Sequence, residues 1–367
     1  MVALMATRPA TMRALALRGR CGFASARLWS PSDLTLFAES PWAAWLERLV
    51  REEPSHDLAA ARDPPDAFSE LLGRKGADAE EAVLIASRRL GHRIIDLSDV
   101  GGPLHTRVDA TVSAIAEHPD IIYQAPLQGG GFYGVADFLV RVPGRDVEYM
   151  VWDAKLGRRA RPSQVLQLCC YSEMLALLQP APPEWAGLVL GGRTPLPLRL
   201  ASYAALYRHV RGRFLATQAA FDASRLPEPP APTDNAGRWS GLAAAELEQK
   251  DDLRLVAGLG RRQATRLRAA GVPTACALVE IEPGRSVPGI SAGVLQRLRR
   301  QARLQRQAHH TPDEPPPFEV LPGAARWGGA LAALPPPDDA DVFFDLEGFP
   351  CLSWNRTGRR ASAGIEP

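Results

Sequence analysis

The chain has 367 residues, of which 46% are apolar and 23% charged, and its formal net charge is +2 at pH 7. This composition is typical of globular proteins, and roughly two or three domains of this length can form cores without disulfide bonds. A wholly disordered chain is therefore excluded. Charged residues or proline interrupt every apolar run before the roughly 18 residues that cross a bilayer, so we expect a soluble protein without a membrane partner.

The five cysteines form no C-x-x-C pair and no regular spacing, so the sequence supports neither a disulfide framework nor a structural zinc site. A reducing compartment fits this pattern, and we expect a cytoplasmic protein. The 43 basic residues include only three lysines, Lys75, Lys155 and Lys250. Lysine is rare enough here for each one to be informative.

Composition divides the chain into segments. Residues 1–29 contain five arginines and no acid, like a transit peptide, but we assign them to a disordered tail or a start codon placed too far upstream. The further predicted segments are an α/β domain at 30–225, a linker at 226–250, a basic helical domain at 251–310, a Pro-rich linker at 311–340 and a fragment at 341–367.

Helical and strand patterns alternate in the α/β domain. Two helices divided by Pro41 begin it, and Gly91 ends a third helix. The predicted elements after Pro41 are a helix at 68–90, a strand at 92–97, a helix at 107–118, strands at 121–125, 134–142 and 147–156, a helix at 161–178 and a strand at 185–190.

The turn at residues 143–146 predicts a β-hairpin between the two central strands. Alternation along the second strand puts Asp153 and Lys155 on one face, about 7 Å apart. The position of Asp137 depends on the register: a four-residue turn sets it opposite Trp152, whereas a three-residue loop sets it opposite Asp153. The sequence pattern leaves both registers open.

In the second register, two carboxylates and an ammonium converge. Such oxygen ligands suit Mg²⁺ or Mn²⁺, which can polarise a phosphate and activate a bound water. Lys155 could orient that water or offset developing charge, a role that a forked, permanently protonated arginine would fill poorly. The alternative is an exposed ion pair. Apolar flanking residues and a following helix with Gln167 and Tyr171 one turn apart favour a site.

Three segments resemble motifs of the PD-(D/E)xK nucleases, specifically the RecB-like branch: Gly134-Val135-Ala136-Asp137, Asp153-Ala154-Lys155 and Gln167-Leu168-Cys169-Cys170-Tyr171. The resemblance covers about residues 30–225 and implies a restriction-endonuclease-like mixed sheet flanked by helices. It favours the register that brings Asp137 to Asp153. The implied roles are catalysis and metal binding for Asp137 and Asp153, a further metal ligand in the Ala154 carbonyl, catalysis for Lys155, and DNA proximity for Gln167 and Tyr171.

Glu80 matches the acidic residue of the family's early-helix motif, which implies a third metal ligand. Many relatives carry a histidine just before it, where this chain has Ala79. Relatives with an iron–sulfur cluster place cysteines near the domain start and after its last helix. Ser40 and a cysteine-free stretch at residues 233–245 occupy those regions, so no cluster is expected, and Cys169 and Cys170 are assigned to packing.

The block at residues 253–306 is strongly basic, with eleven arginines against two glutamates. Two similar stretches, 256–260 and 287–291, each precede a helix and look like an internal repeat. The block resembles tandem helix-hairpin-helix motifs, in which a Gly-x-Gly turn lets backbone N–H groups approach a phosphate. The implied DNA-binding residues are Gly258 and Gly260, with Arg261, Arg262, Arg297 and Arg300 adding salt-sensitive attraction.

Asp345-Leu346-Glu347 resembles the first acidic motif of RNase H-like 3′ to 5′ exonucleases, but no second motif follows it, which implies a truncated fragment. We therefore predict a metal-dependent nuclease that hydrolyses DNA phosphodiester bonds in repair or recombination. The alternatives are a non-catalytic DNA-binding module and a remnant of a longer nuclease. DNA is the expected nucleic-acid partner, with RNA as an alternative, and the expected protein partner is a helicase or a missing C-terminal exonuclease domain.

Overall fold

The structure of this chain is a computed structural model that describes residues 27–65, 67–145, 148–191, 195–282, 284–310, 315–319, 335 and 338. The chain divides into two compact units, Met1–Arg306 and Gln307–Pro367. Residues 1–26 of the predicted tail and the predicted fragment with Asp345 and Glu347 lie outside the described residues. The tail was predicted to extend to residue 29, but Trp29 is buried and pairs with Phe132, so the ordered domain begins before Ser30. The sheet and the candidate site belong to the first unit.

Six strands form one mixed sheet, and their spatial order follows their order along the chain. They are β1 (Ile94–Asp96), β2 (Ile121–Gly129), β3 (Phe132–Arg141), β4 (Tyr149–Lys155), β5 (Trp185–Leu190) and β6 (Leu196–Arg199). The pairs β1–β2 and β4–β5 are parallel, and the other three pairs are antiparallel. The predicted α/β class, with a mixed sheet flanked by helices, is confirmed.

Helices cover both faces of the sheet. The described α-helices are α1 (Pro31–Glu39), α2 (Pro41–Glu52), α3 (Ala67–Arg89), α4 (Leu104–Ala116), α5 (Pro162–Leu175), α6 (Ala204–Ala219), α7 (Ser240–Gln249), α8 (Arg261–Ala269), α9 (Ala275–Val279) and α10 (Ala292–His310). The crossovers α4 and α5 make the parallel pairs possible. A larger core includes residues of α1, α4, α5 and α6, while a smaller core on the other face includes Leu84 of α3.

The hairpin of β3 and β4 decides where Asp137 lies. The ladder ends at the pair of Phe138 with Trp152, and the same register continued by one step sets Asp137 opposite Asp153. This is the register of the three-residue loop, which the family resemblance favours. Val151 belongs to the larger core and Trp152 packs against the smaller one, so Asp153 points to the larger-core face by alternation.

Local sequence signals set several boundaries. Ser40 ends α1 and caps α2, and Pro41 stands at the first turn of α2, as the predicted division requires. Strand β5 has the predicted bounds.

The predicted elements did not include β6 or α6. Residues 240–249, inside the predicted linker, form α7, because Trp239 is buried in a cluster with Trp42 of α2. Among the described residues, no helix combines the length and apolar character needed to cross a membrane.

The basic block has a hydrophobic core of its own and contains two similar turns. Gly258 and Gly289 have φ values of 78° and 77°, and each turn precedes a helix, α8 or α10. The turn hydrogen bonds, from Leu259 N to Val256 O and from Ile290 N to Val287 O, are both 3.0 Å long. The two stretches that were predicted to be similar therefore form turns of the same geometry.

Asp252 holds the start of this basic block in place. Its side chain is buried and accepts hydrogen bonds of 2.8 Å from Arg254 and Arg268. Arg254 also donates to the carbonyl of Pro229 in the preceding segment. Burial acts to raise the pKa of Asp252, but the hydrogen bonds and charge of Arg254, with the charge of Arg268, lower it overall.

We expect Asp252→Asn to lower the free energy of unfolding at pH 7 by about 3 kcal/mol, because two arginines lose a buried partner. The folded pKa of Asp252 lies below its unfolded value of about 3.9, so the carboxylate stabilises fully above that value and the effect is lost as pH falls through the folded pKa. Denaturant titrations at pH 7 and pH 3 should show the difference between parent and variant shrinking.

The control is Asp234→Asn, which removes a more exposed ion pair with Arg261 and should cost less than about 1 kcal/mol. Equal losses in the two variants, or a loss in Asp252→Asn that does not depend on pH, would contradict the assignment.

Candidate active site

Two neighbouring strands bring three predicted site residues together. Strand β3 carries Asp137, and β4 carries Asp153 and Lys155. Lys155 Nζ donates a hydrogen bond of 2.7 Å to Asp153 Oδ1 and lies 4.0 Å from Asp137 Oδ2. The backbone N–H of Ala154 donates to Asp137 Oδ2 at 3.2 Å. The two carboxylates and the ammonium therefore converge.

The side chain of Asp153 is almost completely buried, with a relative exposure of 1% for the residue. Its Oδ1 is bonded to Lys155, but its Oδ2 is buried and has no hydrogen-bond partner among the described residues. A polar oxygen in this situation has lost its hydration without compensation. A bound cation would satisfy such an atom.

The charges in the site influence one another strongly. Burial raises the pKa of Asp153 and the charge of Asp137 adds to this effect, whereas the charge and the hydrogen bond of Lys155 oppose it. Burial acts to lower the pKa of Lys155, but the carboxylates of Asp153 and Asp137 outweigh it and raise the Lys155 pKa overall. Lys155 therefore remains protonated at neutral pH. It can donate hydrogen bonds and offset negative charge, but it cannot act as a general base.

Glu80 approaches the same cluster from α3. Gln124 Nε2 donates a hydrogen bond of 3.1 Å to Glu80 Oε2. Burial raises the pKa of Glu80 to about 7 and the charge of Asp137 adds to this effect, whereas Lys155 and the bond from Gln124 oppose it. Within the described residues, no group of three or more His, Cys, Asp or Glu side chains is arranged to hold a metal ion. Glu80 joins the electrostatic cluster without completing a set of three ligands.

The donors present nevertheless suit Mg²⁺ or Mn²⁺. Magnesium is usually bound through one or two carboxylates, keeps several waters and binds substrate phosphates as further ligands. Asp137 and Asp153 supply two carboxylates, and Asp153 Oδ2 is the buried oxygen without a partner. A site with two protein carboxylates therefore fits the residues better than a closed site with three.

Gln124 belongs to the site although the sequence pattern did not identify it. Its φ is 52°, in a left-handed region that is uncommon for residues other than glycine. Ile122 and Ala125 both belong to the larger core although they are three positions apart, so strand alternation is interrupted between them. Gln124 lies in this interruption and donates to Glu80. The sequence signal that could have identified Gln124 is a polar residue within an apolar strand, but such residues are too common to indicate a functional site.

Helix α5 supports the site through Tyr171. This side chain is buried, and a Cβ atom at position 134 would lie 2.9 Å from its ring and 3.0 Å from its hydroxyl oxygen, so Gly134 permits the close approach. Burial raises the pKa of Tyr171 and Asp137 adds to this effect, whereas a hydrogen bond with Gln167 opposes it. Of this pair, Gln167 is the partly exposed member. Cys169 and Cys170 of α5 lie in the larger core, as expected for packing.

Four of the predicted DNA-binding residues of the basic block lie at or directly after the turn before α8, whereas Arg297 and Arg300 lie in α10. Gly258 has open space within 4 Å of the position that a Cβ atom would take. Gly260 is the N-cap of α8, and Arg261 and Arg262, both exposed, are its first two residues. Arg261 forms an ion pair of 3.0 Å with Asp234. The backbone of this turn is therefore accessible to a ligand.

We expect millimolar Mg²⁺ or Mn²⁺ to raise the midpoint of thermal unfolding of the metal-free protein. An ion that binds only the folded state at a hundred times its Kd stabilises it by about 2.7 kcal/mol. Asp153→Asn should abolish the shift. Glu184→Gln, which changes an exposed carboxylate in a pair with Arg199, should retain it. A shift of the same size in Asp153→Asn would contradict metal binding at this site.

Comparison with protein-family models and with curated proteins finds no significant match to this chain. Its function is therefore inferred from the site itself. The features that bear on it are the buried Asp153 and the protonated Lys155 at the C-terminal end of β4, and the adjacent Asp137 in the middle of β3.

Proposed function

We propose that this chain is a metal-dependent, RecB-like nuclease that hydrolyses DNA phosphodiester bonds in repair or recombination. One observation carries the proposal: Asp153 is buried beside Asp137, bonded to Lys155 through one oxygen and without a partner for the other. A buried acid pair with a single lysine is costly for a structural role. It suits a site that receives a divalent cation and a phosphate.

Asp137 and Asp153 would hold Mg²⁺ or Mn²⁺, with the Ala154 carbonyl as a further candidate ligand, while Glu80 would add negative charge near the ion. When bound, the ion would polarise the scissile phosphate and lower the pKa of a water molecule. Lys155 keeps its proton, so it donates a hydrogen bond to the water or to a phosphate oxygen and offsets charge that develops in the transition state.

The sheet supports this proposal. A mixed sheet with sequential strand order, a central antiparallel hairpin that bears the acids and a following crossover helix agrees with a restriction-endonuclease-like core. Helix α5 bears Gln167 and Tyr171. Because Tyr171 is buried and Gln167 partly exposed, we assign support of the Asp137 strand to Tyr171 and proximity to DNA to Gln167.

The basic block supports a nucleic-acid substrate. Its two similar turns and the open backbone at Gly258 agree with tandem helix-hairpin-helix motifs, with Gly260, Arg261 and Arg262 beside a backbone phosphate. DNA is the proposed substrate, and RNA would use the same contacts. A helicase or a C-terminal exonuclease domain is the proposed protein partner, in the cytoplasm.

A second candidate function is a DNA-binding module that does not cleave. Ala79 stands where many RecB-like relatives have a histidine, and this observation favours the alternative. In this alternative the basic block would bind DNA, and the buried acids would have no catalytic role.

Incubation of the purified protein with single- and double-stranded DNA in Mg²⁺ or Mn²⁺ tests the proposal. We expect cleavage by the parent and about a 100-fold or greater loss in Lys155→Ala, because an electrostatic donor to the transition state is removed. Asp137→Asn and Asp153→Asn should lose cleavage because the ion is no longer held. The matched control is Lys250→Ala, since this lysine pairs on the surface with Glu246.

DNA retention without cleavage by the parent would favour the binding module. Neither retention nor cleavage, with a folded protein, would overturn both functions. Equal cleavage by the parent and by the Lys155 and Asp153 variants would overturn the assigned site.

A pair of glycine variants tests the turn before α8. Gly258→Ala should weaken DNA binding about tenfold, because a Cβ atom would obstruct the approach of the backbone to a phosphate. Gly284→Ala is the matched control, since both glycines have positive φ, 78° and 88°, and open surroundings. Both variants should be similarly strained, by about 1–2 kcal/mol. Equal DNA affinity in the two variants, measured by fluorescence anisotropy, would contradict a role for the turn.

A further inference from the structure

The loop between β4 and α5 carries three arginines, Arg158, Arg159 and Arg161, and all three are exposed. In the part of the chain that the structure describes, none of their guanidinium groups has an ion-pair or hydrogen-bond partner. Residues 156–161 contain no acid. The loop therefore concentrates positive charge that the protein itself does not neutralise.

Exposed arginines elsewhere in this chain often have acidic partners. Arg93 lies 3.0 Å from Glu117, and Arg51 lies 2.8 Å from Asp33. Three like charges within four positions repel one another, although solvent reduces the effect. An anion that bridges them would relieve this repulsion.

The loop lies at the edge of the candidate active site. It begins directly after Lys155, and three residues span at most about 11 Å, so Arg158 lies close to the site. Gly191, at the end of β5, donates its N–H to the carbonyl of Lys155 at 2.9 Å. A Cβ atom at Gly191 would lie 3.5 Å from Cγ of Arg158, so the arginine stem packs beside this strand end.

We propose that Arg158, Arg159 and Arg161 form a phosphate-binding site that holds the sugar–phosphate backbone next to the scissile phosphate. The inference rests on the proposed nuclease function and names a substrate class for it: a polynucleotide with several contiguous phosphates, bound without regard to sequence. Guanidinium groups suit this task because they bind phosphate oxygens through two parallel hydrogen bonds. The acids of the site would bind the ion, and the loop would bind the neighbouring phosphates.

The test uses the full chain in EDTA and a fluorescent DNA oligonucleotide, with Kd measured at several salt concentrations. Replacing the three loop arginines by alanine should weaken binding at least tenfold. The slope of log K against log salt should fall in magnitude by about 2–3, since each phosphate contact contributes about 0.9 for duplex and 0.7 for single-stranded DNA.

The matched control replaces Arg88, Arg93 and Arg199, three exposed arginines that each face an acid. This control variant loses the same number of positive charges as the loop variant. A salt slope in the control close to that of the parent supports the loop site. Equal changes of affinity and salt slope in the two triple variants would overturn the loop site. With Mg²⁺, the loop variant should show a raised KM and a nearly unchanged kcat. Thermal midpoints confirm that both variants are folded.

Failure of the inference differs from failure of the nuclease proposal. If the parent cleaves DNA and the loop variant retains its affinity and salt slope, the phosphate site is wrong while the nuclease function stands. If the parent neither binds nor cleaves DNA, both the proposed function and the phosphate site are wrong.

Discussion

The burial of Asp153 beside a second carboxylate is the constraint on which the site depends. A carboxylate removed from water is costly unless a cation and hydrogen bonds compensate it. Lys155 compensates one oxygen of Asp153, while the other has no partner among the described residues, and Asp137 adds repulsion. The arrangement persists because the strands that carry it are fixed by the two cores of the sheet. Stability gained in those cores offsets the cost of burying Asp153.

The elements around the acids accommodate this arrangement by local adjustments. The hairpin register brings Asp137 opposite Asp153, and Gly134 lets α5 approach β3 closely enough for Tyr171 to cover it. Gln124 adopts a left-handed conformation where β2 changes its alternation, and from there it binds Glu80. Strained backbone of this kind persists where the surrounding structure over-determines it, and it is frequent at functional sites.

The distribution of charge agrees with a polyanionic substrate. A net charge of +2 conceals a local separation of charge, with Asp137 and Asp153 together on the sheet and an excess of arginines on the loop after β4 and in the basic block. Metal-dependent cleavage of a phosphodiester uses side chains of both charges: carboxylates hold the divalent ion, and cationic side chains hold the neighbouring phosphates. Lys155 contacts the acids and directly precedes the loop with the three arginines. Because it is protonated, it can donate a hydrogen bond to a substrate phosphate.

Alternation along β4 was enough to place Asp153 and Lys155 together, and Ser40 and Pro41 were enough to divide the first two helices, because these signals act within a few residues. The hairpin register was not determined locally, since loops of three and four residues are both compatible with the turn sequence. The left-handed Gln124, the burial of Tyr171 and the unpartnered oxygen of Asp153 depend on packing between distant segments. Helix α7 was missed for the same reason: it follows the Pro-rich stretch at residues 226–235, which predicts a linker, and only the contact of Trp239 with the cluster around Trp42 fixes it as a helix of the domain. The sequence by itself determined which chemical groups share a strand face, and the tertiary structure alone decided which of them are buried together, because burial arises from long-range contacts that no local pattern encodes.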